Sequence, residues 1–188
     1  MRKLFHQTLV TVDGYMSGPN GEFDWHIVDD DFTSYLDRML RSIDGIVLGR
    51  RTYEGLAEYW PTATEPEAGL MNSVPKYVIS NTLRTAAWAN TTILRGDATD
   101  SIRSLKATGH RDLALFASSQ LATSLITAGL VDELRVITSP VLLGEGRPLL
   151  PRLPRRTQLH LEHTEHFASG TLYSSYAVLP ERPSAALV

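Results

Sequence analysis

Gly45-Ile46-Val47-Leu48-Gly49-Arg50-Arg51-Thr52-Tyr53 is the stretch of this 188-residue chain that decides its fold class. A short apolar run with a glycine at each end is typical of a strand buried on both faces. Thr52 then opens a predicted helix that ends at Tyr59, before Pro61. A buried strand that passes directly into a helix is the repeating unit of α/β proteins. It predicts a mostly parallel sheet with helices on both faces.

Strands and helices alternate along the rest of the chain. Asp30 or Asp31 is the predicted N-cap of a helix whose apolar side chains recur at helical spacing from Phe32 to Ile43. Ala168-Ser169-Gly170 separates two alternating runs and predicts a terminal antiparallel hairpin of residues 159–167 and 171–179. The other predicted elements are strands at residues 5–12, 76–80, 91–94, 113–116 and 133–138, helices at 101–108 and from Ser118 or Ser119 to Gly129, and a loop at 62–69.

The composition predicts one globular domain over residues 1–180, with a frayed tail at 181–188. The net charge of -3 gives no basic excess, so no nucleic acid partner is expected. The absence of cysteine excludes a disulfide framework, a thiolate metal site and a cysteine nucleophile. No run approaches the roughly 20 apolar residues of a membrane span. We therefore expect a cytoplasmic protein with no membrane partner.

Residues Gly49 to Thr52 have the composition of a phosphate site. Backbone N–H groups at the start of a helix lack partners, and the helix dipole favours an anion there. Thr52 adds a hydroxyl donor, while Arg50 and Arg51 add charged donors. The simpler alternative is a helix start with two solvated arginines.

Three more segments carry polar groups just after predicted strands. Ser80 and Asn81 suit a ribose or a phosphate, although a strand followed by a polar turn is the better explanation of these residues taken alone. Small residues at a strand-to-helix junction let N–H groups approach a pyrophosphate closely. Arg147, beside two glycines, has the charge to hold a substrate anion, or the segment is a simple turn. The residues of the strand-to-helix junction are Ala117, Ser118, Ser119 and Gln120. The glycine-flanked segment contains Gly144, Gly146 and Arg147.

Two other kinds of site are not supported. The chain has no GxGxxG pattern, so a standard Rossmann dinucleotide site is not predicted. His160, His163 and His166 are three residues apart, and neighbouring members point to opposite faces of a strand. We predict no metal site.

In order along the chain, several segments resemble the reductase domain of bacterial riboflavin biosynthesis, in the small stand-alone branch of the dihydrofolate-reductase-like superfamily. Any one segment is weak evidence, whereas the ordered set is specific. The segments are Leu9-Val10-Thr11-Val12-Asp13-Gly14-Tyr15-Met16-Ser17-Gly18, Asp24-Trp25, Asp44-Gly45-Ile46-Val47-Leu48-Gly49-Arg50-Arg51-Thr52-Tyr53, Val78-Ile79-Ser80, Gly129-Leu130-Val131-Asp132-Glu133-Leu134 and Pro140-Val141-Leu142-Leu143-Gly144-Glu145-Gly146.

The resemblance implies a fold, a cofactor and an assembly. The fold is a dihydrofolate-reductase-like three-layer α/β sandwich, with a mostly parallel central sheet and a C-terminal antiparallel hairpin. The cofactor is NADPH, and the expected assembly is a homodimer. Arg50 would contact the 2′-phosphate and Thr52 the pyrophosphate. Ser80 and Asn81 would lie beside the adenosine, and the backbone near Leu9 and Val10 would meet the nicotinamide amide.

The same resemblance predicts the rest of the cofactor and substrate sites. Gly49, Arg51, Ser119 and Gln120 would complete the phosphate contacts. The junction Ala117-Ser118 departs from the family, which usually has Gly-Gly or Gly-Ser there. The methyl group of Ala117 could crowd the pyrophosphate or resist the backbone geometry. The predicted substrate contacts are Asp13, Trp25, Gly144, Gly146 and Arg147.

The expected activity is NADPH-dependent reduction of a small heterocycle, as in 5-amino-6-(5-phosphoribosylamino)uracil reductase. The alternatives are a dihydrofolate or pterin reductase and a non-catalytic NADPH-binding protein. Asp30 and Asp31 are the catalytic candidates because a carboxylate there could bind the heterocycle edge or assist protonation. Helix capping is the alternative role of these two aspartates.

Overall fold

A computed structural model describes residues 1–180 of the chain. The strands are β1 (Leu4–Thr11), β2 (Tyr15–Ser17), β3 (Ile43–Gly49), β4 (Lys76–Ile79), β5 (Thr91–Leu94), β6 (Asp112–Phe116), β7 (Glu133–Ser139), β8 (Arg147–Pro148), β9 (Leu159–His166) and β10 (Leu172–Val178). The helices are α1 (Asp30–Ser42), α2 (Arg50–Tyr59), α3 (Ala68–Ser73), α4 (Ala98–Ala107) and α5 (Ser119–Thr127), with a 3-10 turn at Trp60–Thr62.

Eight strands form one sheet in the order β5-β4-β3-β6-β1-β7-β10-β9. All neighbours from β5 to β7 are parallel, and β10 runs antiparallel to both β7 and β9. The predicted mostly parallel sheet and the predicted C-terminal hairpin are therefore both confirmed. The expected tail at 181–188 lies outside the described residues.

Both faces of the central sheet are covered, as the apolar run in β3 predicts. Ile46 and Leu48 are fully buried on the face that packs against α1, α2 and α3. Val47 is fully buried on the opposite face, against α4 and α5. Gly45 allows a close approach here, because a Cβ at this position would lie 2.6 Å from the Tyr77 ring.

Several predicted boundaries were wrong at the helix starts. The N-cap of α1 is Asp29, whose Oδ1 accepts from the Phe32 N–H at 2.8 Å, rather than Asp30 or Asp31. Helix α2 starts at Arg50, so both arginines lie in its first turn. Asp97 caps α4, which therefore begins before residue 101. Capping by the earliest of several polar residues explains the α1 and α4 shifts.

Two short elements were not predicted. Helix α3 begins at Ala68, inside the predicted loop at 62–69. Strands β2 and β8 form a separate antiparallel pair beside the main sheet. Elements this short have no measurable hydrophobic period. Among residues 1–180, no helix has the length and apolar composition needed to cross a membrane.

Candidate active site

The carboxyl ends of β3 and β6 form a topological switch point. The two strands are neighbours in the sheet, but the chain leaves them in opposite directions. After β3 it passes through α2 and α3 to β4, and after β6 it passes through α5 to β7 on the far side of β1. Ligands of open α/β sheets bind in the crevice that such a divergence creates.

Helices α2 and α5 both begin at this crevice, and neither has a side-chain N-cap. Helices α1 and α4, which begin elsewhere, are capped by Asp29 and Asp97, whereas the six-residue α3 also lacks a side-chain cap. The first-turn N–H groups of α2 and α5 have no partner within their own helices. Two uncapped helix starts side by side make this crevice a favourable place for anionic groups.

Ser118 connects the two helix starts. Its Oγ accepts from the Gly49 N–H at 2.9 Å and donates to Oγ1 of Thr52 at 2.9 Å. Because this hydroxyl bonds to β3 and α2, it does not cap α5, although Ser118 is the N-cap residue. Predicted cofactor residues from two distant parts of the sequence are thus brought together. Gly49 packs against this side chain, since a Cβ there would lie in van der Waals contact with the Ser118 Oγ, at 3.4 Å.

The junction before α5 has an unusual backbone. Ala117 has φ of 45° and Ser118 has φ of 52°, so two successive non-glycine residues are left-handed. Each costs about 1–2 kcal/mol relative to a right-handed conformation. The surrounding hydrogen bonds hold the junction in this state. The sequence departure at Ala117-Ser118 therefore coincides with a backbone that glycine would adopt more easily.

His6 and Gln7 of β1 bind both backbone groups of Ala117. The Ala117 N–H donates to the Gln7 carbonyl at 2.9 Å, and Nε2 of His6 lies 2.6 Å from the Ala117 carbonyl. His6 is fully buried. Burial lowers the pKa of His6 to about 4, against the opposing effect of its bond to Ala117. His6 is therefore neutral at pH 7. The sequence reasoning missed it, although an imidazole inside an apolar strand was a visible signal.

On the side of this crevice the backbone of Leu9 has no strand partner, and its carbonyl accepts only a long hydrogen bond from the Thr8 hydroxyl, at 3.4 Å. The bond from Ala117 to Gln7 is the last one between β1 and β6, whereas β1 continues to pair with β7 as far as Thr11. Backbone groups alternate sides along a strand, so the N–H and C=O of Leu9 point the same way as the Gln7 carbonyl. They lie beyond the end of β6. By the same alternation, Val10 points its backbone toward β7 and packs its buried side chain into the core.

Arg50 and Arg51 differ in their partners. The Arg50 guanidinium contacts both carboxylate oxygens of Glu54, at 3.0 and 3.1 Å. The Arg51 side chain is exposed and has no hydrogen-bond or ion-pair partner among residues 1–180. Both arginines lie in the first turn of α2, at the mouth of the crevice.

Ser80 and Asn81 shape the loop after β4. The Ser80 Oγ accepts from the N–H groups of Thr82 and Leu83, at 3.2 and 3.0 Å. Oδ1 of Asn81 accepts from the Gly96 N–H at 2.7 Å and so joins the ends of β4 and β5. Both residues follow a strand next to β3, on the side away from β6.

The aspartates at the start of α1 mainly bind the C-terminal hairpin turn. Oδ2 of Asp31 accepts from the Ala168 N–H at 2.7 Å, and Oδ2 of Asp29 accepts from the Ser169 N–H at 3.2 Å. Asp30 is exposed, and its side chain has no partner within the described part of the chain. Asp30 is thus the freer of the two catalytic candidates.

Asp13 holds the loop that precedes β8. Its carboxylate accepts from the Gly144 N–H at 2.7 Å and from the Leu143 N–H at 3.1 Å. These bonds and the Thr11 hydroxyl lower the pKa of Asp13, with the Thr11 bond the largest cause. Gly146 packs directly on β2, since a Cβ there would lie 2.2 Å from the Ser17 carbonyl oxygen.

Trp25 lies in the segment between β2 and α1, and Arg147 of β8 approaches the same segment at Gly21. The exposed Arg147 side chain has no partner in residues 1–180, and its Nη2 lies 4.0 Å from the Cβ position of Gly21. Trp25 packs edge-on against Phe23, which stacks on His26. The indole Nε1 of Trp25 is buried without a partner in the described residues. Of the predicted substrate contacts, Trp25 and Arg147 therefore meet at residues 18–29, whereas Asp13, Gly144 and Gly146 belong to the adjoining loop before β8.

The family model for the RibD C-terminal domain matches residues 2–173 of the chain. The Bacillus subtilis (strain 168) protein YyaP, itself uncharacterised, is 34% identical over 186 residues, covering 93% of this chain and 94% of YyaP.

Solved structures share the fold. A Shewanella sp. PV-4 protein named for riboflavin biosynthesis superposes with a TM-score of 0.75 at 23% identity, covering 96% of this chain and 100% of that one. Dihydrofolate reductase from Enterococcus faecalis, in complex with NADP(H), gives a TM-score of 0.66 at 17% identity, with 94% and 96% covered. The predicted dihydrofolate-reductase-like fold is confirmed.

Proposed function

Since the chain belongs to the RibD C-terminal domain family, we propose that it is an NADPH-dependent reductase of a small heterocycle. The preferred substrate is 5-amino-6-(5-phosphoribosylamino)uracil or a close relative of it. A homodimer and a cytoplasmic location remain expectations of the family resemblance.

The observation that carries the proposal is the pair of uncapped helix starts joined by Ser118. A dinucleotide pyrophosphate has two adjacent phosphates, and α2 and α5 each present unpaired N–H groups on their side of the crevice. Gly49, Thr52, Ala117 and Ser119 are all partly exposed there. These exposed donors fit the chemistry of a pyrophosphate, which needs several N–H and O–H groups.

The backbone of Leu9, which has no strand partner on the crevice side, supports the placement of the nicotinamide. A carboxamide has one donor group and one acceptor, which match the C=O and N–H of a single strand residue. NADPH, when bound, supplies the hydride. The chain orients the nicotinamide through Leu9 and holds the phosphates at α2 and α5. Residues 14–23 would close over the ring and exclude water.

Arg147 and Asp30 are the groups we assign to the substrate. A ribose 5-phosphate is a dianion, and the unpaired Arg147 guanidinium beside the Gly21 turn offers a bidentate partner. Asp30 would bind the heterocycle edge or assist protonation, because its carboxylate is not used by the fold. Asp31 is the weaker candidate, since its carboxylate binds the hairpin turn.

NADPH oxidation against a panel of substrates tests this function. The panel contains the phosphoribosylaminopyrimidine, its dephosphorylated form, dihydrofolate and dihydropterin. We expect turnover of the phosphorylated pyrimidine and slower turnover of the dephosphorylated form. Turnover of dihydrofolate alone would make the chain a folate-type reductase. Tight NADPH binding without turnover of any member would make it a non-catalytic binding protein.

Two substitutions separate the candidate substrates. Arg147→Ala should raise KM for the phosphorylated substrate by about one to two decades, because it removes a charge-assisted hydrogen bond. It should barely change NADPH affinity. Asp30→Asn should lower kcat instead. If Arg147→Ala leaves the phosphorylated substrate's kinetics intact while Asp30→Asn abolishes dihydrofolate reduction, the pyrimidine assignment is wrong.

A further inference from the structure

His6 can make its hydrogen bond to Ala117 only as a neutral imidazole with its proton on Nε2. Its Nε2 lies 2.6 Å from the Ala117 carbonyl oxygen, and a carbonyl can only accept. The ring must therefore carry its proton on Nε2. Its Nδ1 is buried and has no hydrogen-bond partner among residues 1–180. A leucine or valine at this position would fill the same apolar space without leaving a buried nitrogen unpaired, so the imidazole has a cost that its single hydrogen bond must offset.

That hydrogen bond acts on a non-glycine residue whose backbone is left-handed. Ala117 has φ of 45°, a conformation that disfavours any residue with a Cβ. Both of its backbone groups are fixed by β1, the N–H by the Gln7 carbonyl and the C=O by His6. Loss of the His6 bond would leave the carbonyl free to rotate and the peptide free to relax.

The position of the Ser118 hydroxyl depends on this peptide. Ser118 follows Ala117 and is also left-handed, with φ of 52°. Its hydroxyl reaches Gly49 and Thr52 only from this backbone geometry, and the first turn of α5 starts at the next residue. A rotation at Ala117 would therefore move both the connecting hydroxyl and the α5 N–H groups.

We propose that His6 is a positioning residue of the cofactor site, which holds the Ala117-Ser118 junction left-handed by donating from Nε2 to the Ala117 carbonyl. This proposal rests on the proposed NADPH site. The histidine offsets the cost of a Cβ in this left-handed conformation, and the two positions are energetically coupled. His6 itself does not touch the cofactor.

A double-mutant cycle between His6 and Ala117 tests the proposal. His6→Leu removes the donor, and Ala117→Gly removes the Cβ that makes the conformation unfavourable. His6→Gln places an amide donor near the position of Nε2, whereas His6→Asn, with the same chemistry, is one carbon too short. Each variant is titrated with NADPH and melted without ligand.

His6→Leu should weaken NADPH binding about three- to tenfold, the loss expected for one net hydrogen bond. In the Ala117→Gly background the same substitution should weaken binding less than about twofold. His6→Gln should restore most of the affinity, and His6→Asn should not. A purely structural role would lower the melting temperature of His6→Leu and leave NADPH affinity unchanged in the folded protein.

Equal losses of affinity in the two backgrounds, or no loss in either, would overturn the proposal. Its failure is distinguishable from failure of the proposed function. A wild-type protein that binds no dinucleotide refutes the cofactor site and, with it, the role of His6 there. In that case the melting temperatures still report whether His6 and Ala117 are coupled.

Discussion

Ser118 shows how far the properties of one side chain could be read from the sequence. Its position between a strand and a helix predicted a phosphate-facing junction. Its two hydrogen bonds to Gly49 and Thr52 were not predictable, because they depend on left-handed backbone at Ala117 and Ser118. Sequence patterns assign that conformation to glycine and asparagine, so alanine and serine gave no signal.

Arg50 is predicted to select NADPH over NADH by binding the 2′-phosphate. Its pair with Glu54 is exposed and worth only about 0.3–0.5 kcal/mol, so a phosphate dianion can displace the carboxylate. Arg50→Ala should remove a preference of about one to two decades in affinity. Titration with both cofactors measures it.

Arg51→Ala is the matched control for that substitution. It makes the same change in charge one residue away and should lower both affinities modestly while keeping their ratio. If Arg51→Ala instead abolishes the preference for NADPH and Arg50→Ala does not, Arg51 binds the 2′-phosphate and our assignment is wrong.

His6 is predicted to make folding stability depend on pH below neutrality. Burial lowers the pKa of His6 to about 4 from its ordinary 6.5. Between these two pH values the unfolded chain therefore binds a proton at His6 that the folded chain does not bind. Stability is therefore full above pH 6.5 and falls by about 1.4 kcal/mol per pH unit as the pH drops from about 6.5 to about 4. Urea unfolding at a series of pH values measures this slope. In His6→Leu the slope should be shallower over the same window, and equal slopes would show that His6 does not titrate this way.

The strands and long helices were predictable because their hydrophobic periods are strong, as in β3 and α1. The pair β2 and β8 was not, because strands of three and two residues carry no period. This small sheet nevertheless positions Arg147, since β8 begins with that residue and β2 contacts Gly146. Asp13 anchors the same loop from the end of β1.

Gly146→Ala is predicted to separate β8 from β2. An added Cβ would lie 2.2 Å from the Ser17 carbonyl, which is backbone and cannot move freely. We expect a loss of about 1–3 kcal/mol in unfolding free energy from overpacking. We also expect a raised KM for the phosphorylated substrate, because Arg147 is displaced.

Gly144→Ala provides the comparison, since φ there is also positive but a Cβ would meet nothing within 4 Å. Gly144→Ala should lose only the unfolding free energy that comes from backbone strain, with no loss from overpacking. Unfolding free energies and KM are measured for both variants. Equal losses in the two would mean that the contact of residue 146 with Ser17 is unimportant.

The strand order of the whole molecule creates the site. Insertion of β6 between β3 and β1 brings the starts of α2 and α5 together and, because β6 ends first, leaves the backbone of Leu9 without a strand partner on that side. Periodicity predicted each strand but not its neighbours, because neighbours depend on how the crossovers pack in three dimensions. The strand order could be predicted only from the resemblance to a family. The match of the family model over residues 2–173 confirms that resemblance.

Equilibrium titration of the full-length protein with NADPH and NADH tests the central claim most directly. The account predicts saturable binding at one site per chain, with NADPH bound more tightly than NADH by about tenfold or more because of its 2′-phosphate. Thr52→Ala should weaken both dinucleotides alike, since Thr52 is assigned to the pyrophosphate that they share. Absence of saturable binding by either dinucleotide would contradict the account.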